Sequence, residues 1–102
     1  MDFQGLAARL GIDDEDFMEL VDLFITTTLS DIGKIKKGVQ EANSQDTAAA
    51  SHSIKGAAGN LGFDEIFELA KSMEMQAKSG DLQGFDTLIS DLELKVNSLN
   101  PA

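Results

Sequence analysis

The chain carries one histidine, His52, and it opens an unusual stretch, His52 to Gly62, reading HSIKGAAGNLG. If Asp46 to about Leu61 forms one helix at 100° per residue, Ala50, Ile54, Ala57 and Leu61 fall within roughly 30° of one line, the face that would be buried. With His52 at zero, Lys55 lies at about −60°, Gly59 at about −20° and Gly56 at about +40°, while the apolar line sits near 170°. His52 therefore points outward, beside two glycines that each cost a helix interior about 0.5–1 kcal/mol relative to alanine. Their placement implies that something approaches this backbone closely.

Several chemistries fail on residue types and spacing. One histidine without a second His or any Cys makes no zinc site. Ser51 and Ser53 flank His52, but neighbours one residue apart on a helix diverge by about 100°, which is poor geometry for a serine activated by the ring. Gly56, Gly59 and Gly62 follow helix rather than strand and lack the GK[ST] ending of a phosphate loop. What remains is the imidazole as nucleophile, with one nitrogen protonated and the other presenting its lone pair. A carboxylate accepting from Nδ1 would select that tautomer. Glu74 is the candidate, on a stripe with Phe67, Lys71 and Lys78 offset by about 40–100° from the buried line of the next helix. Lys55 and Lys71 could balance a dianionic phosphoryl group on the ring. Gly56 and Gly59 would admit a folded partner carrying it; Lys78 is a candidate partner contact, and Phe67, a packing residue, is one too if it lies at the groove edge.

The elements that must position these residues read as helices. Phe3, Leu6, Ala7 and Leu10 keep a helical spacing that stops at Gly11. Asp13 can cap the next helix, with acids in its first turn and Ile12 and Phe17 at the two staple positions. This acidic run lacks the alternating ligands and central glycine of a calcium loop. Phe17, Leu20, Val21, Phe24, Leu29, Ile32, Ile35, Val39 and Ala42 then continue one long helix, with a bend or short break expected near residues 28–33, where threonines and Gly33 are weak formers. Lys34, Lys36 and Lys37 read as a solvated face near its C-terminus. Asp46 is expected to cap the His52 helix and Gly62 to close it. A further helix starts near Phe63 and buries Ile66, Ala70, Met73 and Ala77. After Ser79-Gly80, with Asp81 expected as cap, Phe85, Leu88, Ile89, Leu92, Val96 and Leu99 form the last stripe. The prediction is an all-α, antiparallel up-and-down four-helix bundle with a short extra N-terminal helix, one domain over residues 1–102.

Composition narrows the function classes. The 102 residues include no cysteine, tryptophan or tyrosine, and one proline. Disulfides and thiol chemistry are thereby excluded. A net charge of −10 opposes nucleic acid and anionic membrane partners, both of which need clustered Lys and Arg. No apolar run approaches a membrane span and the first residues show no signal pattern, so the expected setting is cytoplasmic.

The string from His52 through Lys55-Gly56 to Gly59 and Gly62, continued by Met73-Glu74, resembles the HxxKG...G signature of histidine phosphotransfer (HPt) domains. It is similar also to the phosphoacceptor domain of chemotaxis kinases of the CheA type. With the helix pattern on either side, the resemblance covers almost the whole chain. It implies that His52 Nε2 takes a phosphoryl group from a receiver-domain aspartate and passes it to another, that Lys55 supports the phosphoryl charge, that Glu74 bonds the ring, and that Gly56 lets the receiver dock. It implies response-regulator receivers and a sensor histidine kinase as partners. No cofactor of the chain's own is expected; Mg²⁺ and most catalytic groups would come from the receiver. The expected molecule is a monomer without ATP-dependent kinase activity. A CheA-like substrate domain phosphorylated by a separate kinase domain, and a helical adaptor that binds without phosphate, are the alternative functions.

Overall fold

The computed structural model describes residues 2–99, and among these it contains five α-helices and no strand. They are α1 (Phe3–Leu10), α2 (Asp14–Gln40), α3 (Ser44–Leu61), α4 (Asp64–Lys78) and α5 (Phe85–Asn97). α2 packs on α3, α3 on α4, α4 on α5 and α5 back on α2, which closes the four-helix bundle, while α1 lies against α2. The 27 residues of α2 span the long axis of a body measuring 42 × 23 × 17 Å. The all-helical bundle expected from the sequence is the fold observed. Met1 and Asn100 to Ala102, the ends of the expected 1–102 domain, lie outside the described residues.

Local sequence explains most helix ends. Asp13 caps α2 by accepting from Asp16 N at 2.9 Å, with Phe17 fully buried four residues on and Ile12 packed against the core. Gly11 and Gly62 close α1 and α3 in the left-handed region, at φ 74° and 82°. Two expected caps are displaced. Asn43, not Asp46, caps α3: its Oδ1 accepts from Asp46 N at 3.0 Å and its Nδ2 donates to Asp46 Oδ2 at 2.8 Å, so Asp46 serves in the first turn. Asp81 does not cap α5 but accepts from Gln83 N at 3.0 Å inside the turn, and α5 starts after Gly84.

α2 runs unbroken through residues 28–33, so the expected break is absent. Its buried stripe also differs from the one expected, because Leu20 and Leu29 are exposed while Thr28 and Asp31 are buried. Phe17, Phe24, Asp31 and Gly38 recur every seventh residue along the inward line, with Val21, Thr28 and Ile35 beside them. At Gly38 the backbone of α2 comes close to the start of α3. A Cβ there would collide with the Thr47 hydroxyl and come within 3.2 Å of the Thr47 N and Asn43 O backbone atoms.

Candidate functional site

α3 is held by its apolar face. Ala50, Ile54 and Ala58 are buried between α2 and α4, and this leaves His52 outward near the middle of the helix. The adjacent serines turn aside. Ser51 is buried and donates to Thr47 O at 2.9 Å, and Ser53 donates to Asp31 Oδ2 at 2.9 Å. Neither hydroxyl is available to the imidazole, in keeping with the divergence expected on a helix.

The ring meets a carboxylate on α4. His52 Nδ1 lies 2.8 Å from Glu74 Oε2, with the histidine side chain 65% exposed and the Glu74 side chain only 4%. A buried carboxylate requires partners, and Glu74 has three. Lys55 Nζ sits 2.7 Å from Oε1, and Lys78 Nζ, one turn along α4, sits 3.2 Å from Oε2. Among the described residues no buried side-chain nitrogen or oxygen lacks a hydrogen-bond partner. The Lys55 ammonium above all, then Lys78 and the His52 ring, outweigh burial and lower the Glu74 pKa from 4.5 to about 2. Glu74 is therefore ionised at neutral pH and can only accept, so the hydrogen between the two groups belongs to Nδ1. In the neutral ring Nε2 then carries a lone pair, on a histidine open to solvent. Such a site can perform nucleophilic chemistry at Nε2.

The remaining candidates fall into separate settings. Gly56 is exposed, and a Cβ built there meets nothing within 4 Å, which leaves the helix backbone open beside the ring. Gly59 has a neighbour of its own: a Cβ would lie 3.3 Å from Phe67 Cδ2, so its bareness accommodates the half-buried Phe67 ring within the protein. Lys71 is exposed and makes no ion pair among the described residues, unlike Lys55. The contacts His52–Glu74 and Gly59–Phe67 fix the antiparallel register of α3 and α4, and that register puts Lys71 level with Lys55. Lys78, expected as a partner contact, also belongs to the Glu74 cluster, with its side chain still 67% exposed.

Sequence reasoning missed Asp31. It is 6% exposed, accepts from Ser53 and has Lys34 Nζ 3.7 Å away. The signal was its place in the every-seventh-residue line of α2, where a carboxylate among phenylalanines implies a buried partner. Among the described residues no three of His, Cys, Asp and Glu are grouped to hold a metal ion, and no helix is long and apolar enough to cross a membrane.

Fold and site together define a class: a helical bundle presenting one solvent-facing histidine whose Nδ1 is held by a buried carboxylate. The family model described as the Hpt domain matches residues 19–100, and the chain belongs to that family. Hpt domains perform histidine phosphotransfer in phosphorelays and interact with receiver and kinase domains. No curated protein and no solved structure matches the chain.

Proposed function

We propose that His52 is the phosphoacceptor of a His-to-Asp phosphorelay, taking its phosphoryl group from one receiver aspartate and passing it to another. The Nδ1 contact with Glu74 carries this reading, because it leaves the Nε2 lone pair outward on a fixed tautomer. In the forward step that lone pair attacks the phosphorus of an aspartyl phosphate. The N–P bond forms as the P–O bond to the aspartate breaks, and the carboxylate leaves with the electron pair. Nδ1 keeps its proton, and the positive charge gained by the ring faces the ionised Glu74. Transfer onward is the reverse: a second aspartate attacks phosphorus and the N–P electrons return to Nε2. Mg²⁺ and the groups that bind the phosphoryl oxygens in flight belong to the receiver.

The open backbone at Gly56 suits docking of a folded receiver. So does an apolar groove between α2 and α3, lined by Leu20, Leu23, Ala57 and Leu61. We assign the chain the role of a monomeric, cytoplasmic carrier, single in its domain, that takes phosphate from receivers rather than from ATP.

The test is label transfer from a panel of phosphorylated receivers to the chain and to His52→Gln. Transfer to the unsubstituted chain alone is the expected result, and label on His52→Gln overturns the assignment. A parallel incubation with ATP and histidine kinase domains separates the relay reading from that of a kinase substrate domain. Label arriving there and not from receivers would make the second reading the correct one.

A further inference from the structure

Building on the phosphotransfer reading, we propose that Lys78 is the cation that leaves Glu74 for the phosphoryl group when His52 is phosphorylated, while Lys55 remains on Glu74. The resemblance to the family gives the charge-supporting role to Lys55; the geometry divides the two lysines differently. Lys55 holds Oε1 at 2.7 Å, and its side chain is 25% exposed. Lys78 holds Oε2 at 3.2 Å, and its side chain is 67% exposed. The second pair is longer, more solvated and mounted on a freer stem, so it exchanges more readily.

Direction selects the same residue. Helical side chains lean toward the N-terminus of their own helix. On α3 this carries the His52 ring toward Ala48, and Ala48, Ala49, His52, Glu74, Ala77 and Lys78 do line one groove. On α4 the same rule brings Lys78 back toward Glu74 and the ring. Lys71 leans the opposite way, toward Phe67, and does not line the groove.

Charge supplies the driving force. Lys78 and His52 Nδ1 share one oxygen, Oε2, whereas Lys55 holds the other. Phosphorylation adds positive character to the Nδ1–H that shares Oε2 with Lys78, and a dianion at Nε2 in the groove that Lys78 lines. Repulsion at the first position and attraction at the second move Lys78 in one direction. Among the described residues lining this groove, Glu74 and Lys78 are the charged partners of the ring, and Lys55 is held on the far oxygen of Glu74. The rest of the groove, Ser44, Gln45, Ala48, Ala49 and Ala77, is uncharged, and Asp31 and Lys34 sit on the opposite flank of α3, where Asp31 accepts from Ser53.

The experiment is a ³¹P NMR pH titration of the full chain phosphorylated with phosphoramidate. A nearby cation favours the dianion, so Lys78→Met should raise the midpoint of the phosphoryl ionisation by about half a pH unit. Lys78→Arg should restore it, and Lys55→Met should move it less. In the unsubstituted protein the ¹³Cε resonance of Lys78 should shift on phosphorylation more than that of Lys55, a measurement independent of any variant's folding. An unchanged midpoint in Lys78→Met, or the larger resonance shift at Lys55, overturns the proposal and leaves the phosphotransfer reading standing. If the unsubstituted chain yields no phosphohistidine resonance, either with phosphoramidate or after incubation with phosphorylated receivers, that reading fails and this proposal fails with it.

Discussion

The two flanks of α3 each place a buried carboxylate against the turn that bears His52, and they use it differently. On the α4 side, Glu74 collects the ring Nδ1, Lys55 and Lys78 within 3.2 Å. On the α2 side, Asp31 takes one hydroxyl, from Ser53, and has a single looser cation, Lys34, at 3.7 Å. Both carboxylates tie helices together across the bundle. Only Glu74 faces an atom with nucleophilic chemistry, and only there do several cations gather. The α2 flank continues instead into the apolar surface of Leu20, Leu23, Ala57 and Leu61. One side of the helix gathers charge and the other is apolar, with the exposed Gly56 lying toward the second.

Removing Glu74 is the most severe way to test this division. Glu74→Ala should slow receiver-to-His52 transfer by about 10²-fold, the lower end of what a positioned proton-bearing partner contributes, while circular dichroism shows a folded bundle. An unchanged transfer rate would end the role given to the carboxylate. Acid probes the same group through stability. With its pKa at about 2 in the folded chain against 4.5 ordinarily, Glu74 contributes stability in full above pH 4.5, and the contribution is lost as pH falls through about 2. Chemical denaturation at pH 6, 3.5 and 2 should show a steeper loss in the unsubstituted chain than in Glu74→Gln. Parallel slopes would mean that the lysines do not stabilise the ionised form.

Much of the charged flank was legible in the sequence because it follows from angles on a single helix. The outward face of His52, the offset stripe holding Glu74 and the closing role of Gly62 all come from 100° steps and turn chemistry. The α2 flank was harder to read, because its signal lies in the competition between positions of equal hydrophobicity. Leu20 and Leu29 fit a helical spacing as well as Val21 and Ile32 do, yet the helix can turn only one line inward, and that line includes Thr28, Asp31 and Gly38. The cap at Asn43 was lost to a similar rivalry, since Asn43 and Asp46 are both good caps and the turn from α2 ends early enough to use the first. Gly56 and Gly59 looked alike for the same reason: spacing says that both are bare, and only the packing of Phe67 says that one of them is bare toward its own chain.

That pair sharpens the comparison at the level of contact. Gly56→Leu should weaken receiver affinity about tenfold by calorimetry, through overpacking worth about 1.4 kcal/mol at the interface. The same change should leave thermal stability equal or higher, because leucine is the better helix former and the space is empty. Gly59→Leu should reverse the balance. The new side chain meets Phe67, and stability should fall by about 1–3 kcal/mol. If both variants lose affinity and neither loses stability, the two glycines face the partner equally and the internal reason for Gly59 is wrong.

The smallest expected effect tests whether the α2 flank is structural alone. Ser53→Ala removes the hydroxyl that Asp31 accepts from and leaves a nearly buried carboxylate with only Lys34 in reach. The loss of one hydrogen bond to a charged group, partly recovered if water or Lys34 closes on Asp31, should cost about 1 kcal/mol in urea denaturation. Transfer to His52 should keep its rate, because Ser53 turns away from the ring and the Nδ1 contact with Glu74 does not pass through it. A substantial fall in transfer rate with stability unchanged would instead connect Asp31 to the chemistry through α3, and the two carboxylates would then have to be regarded as one site.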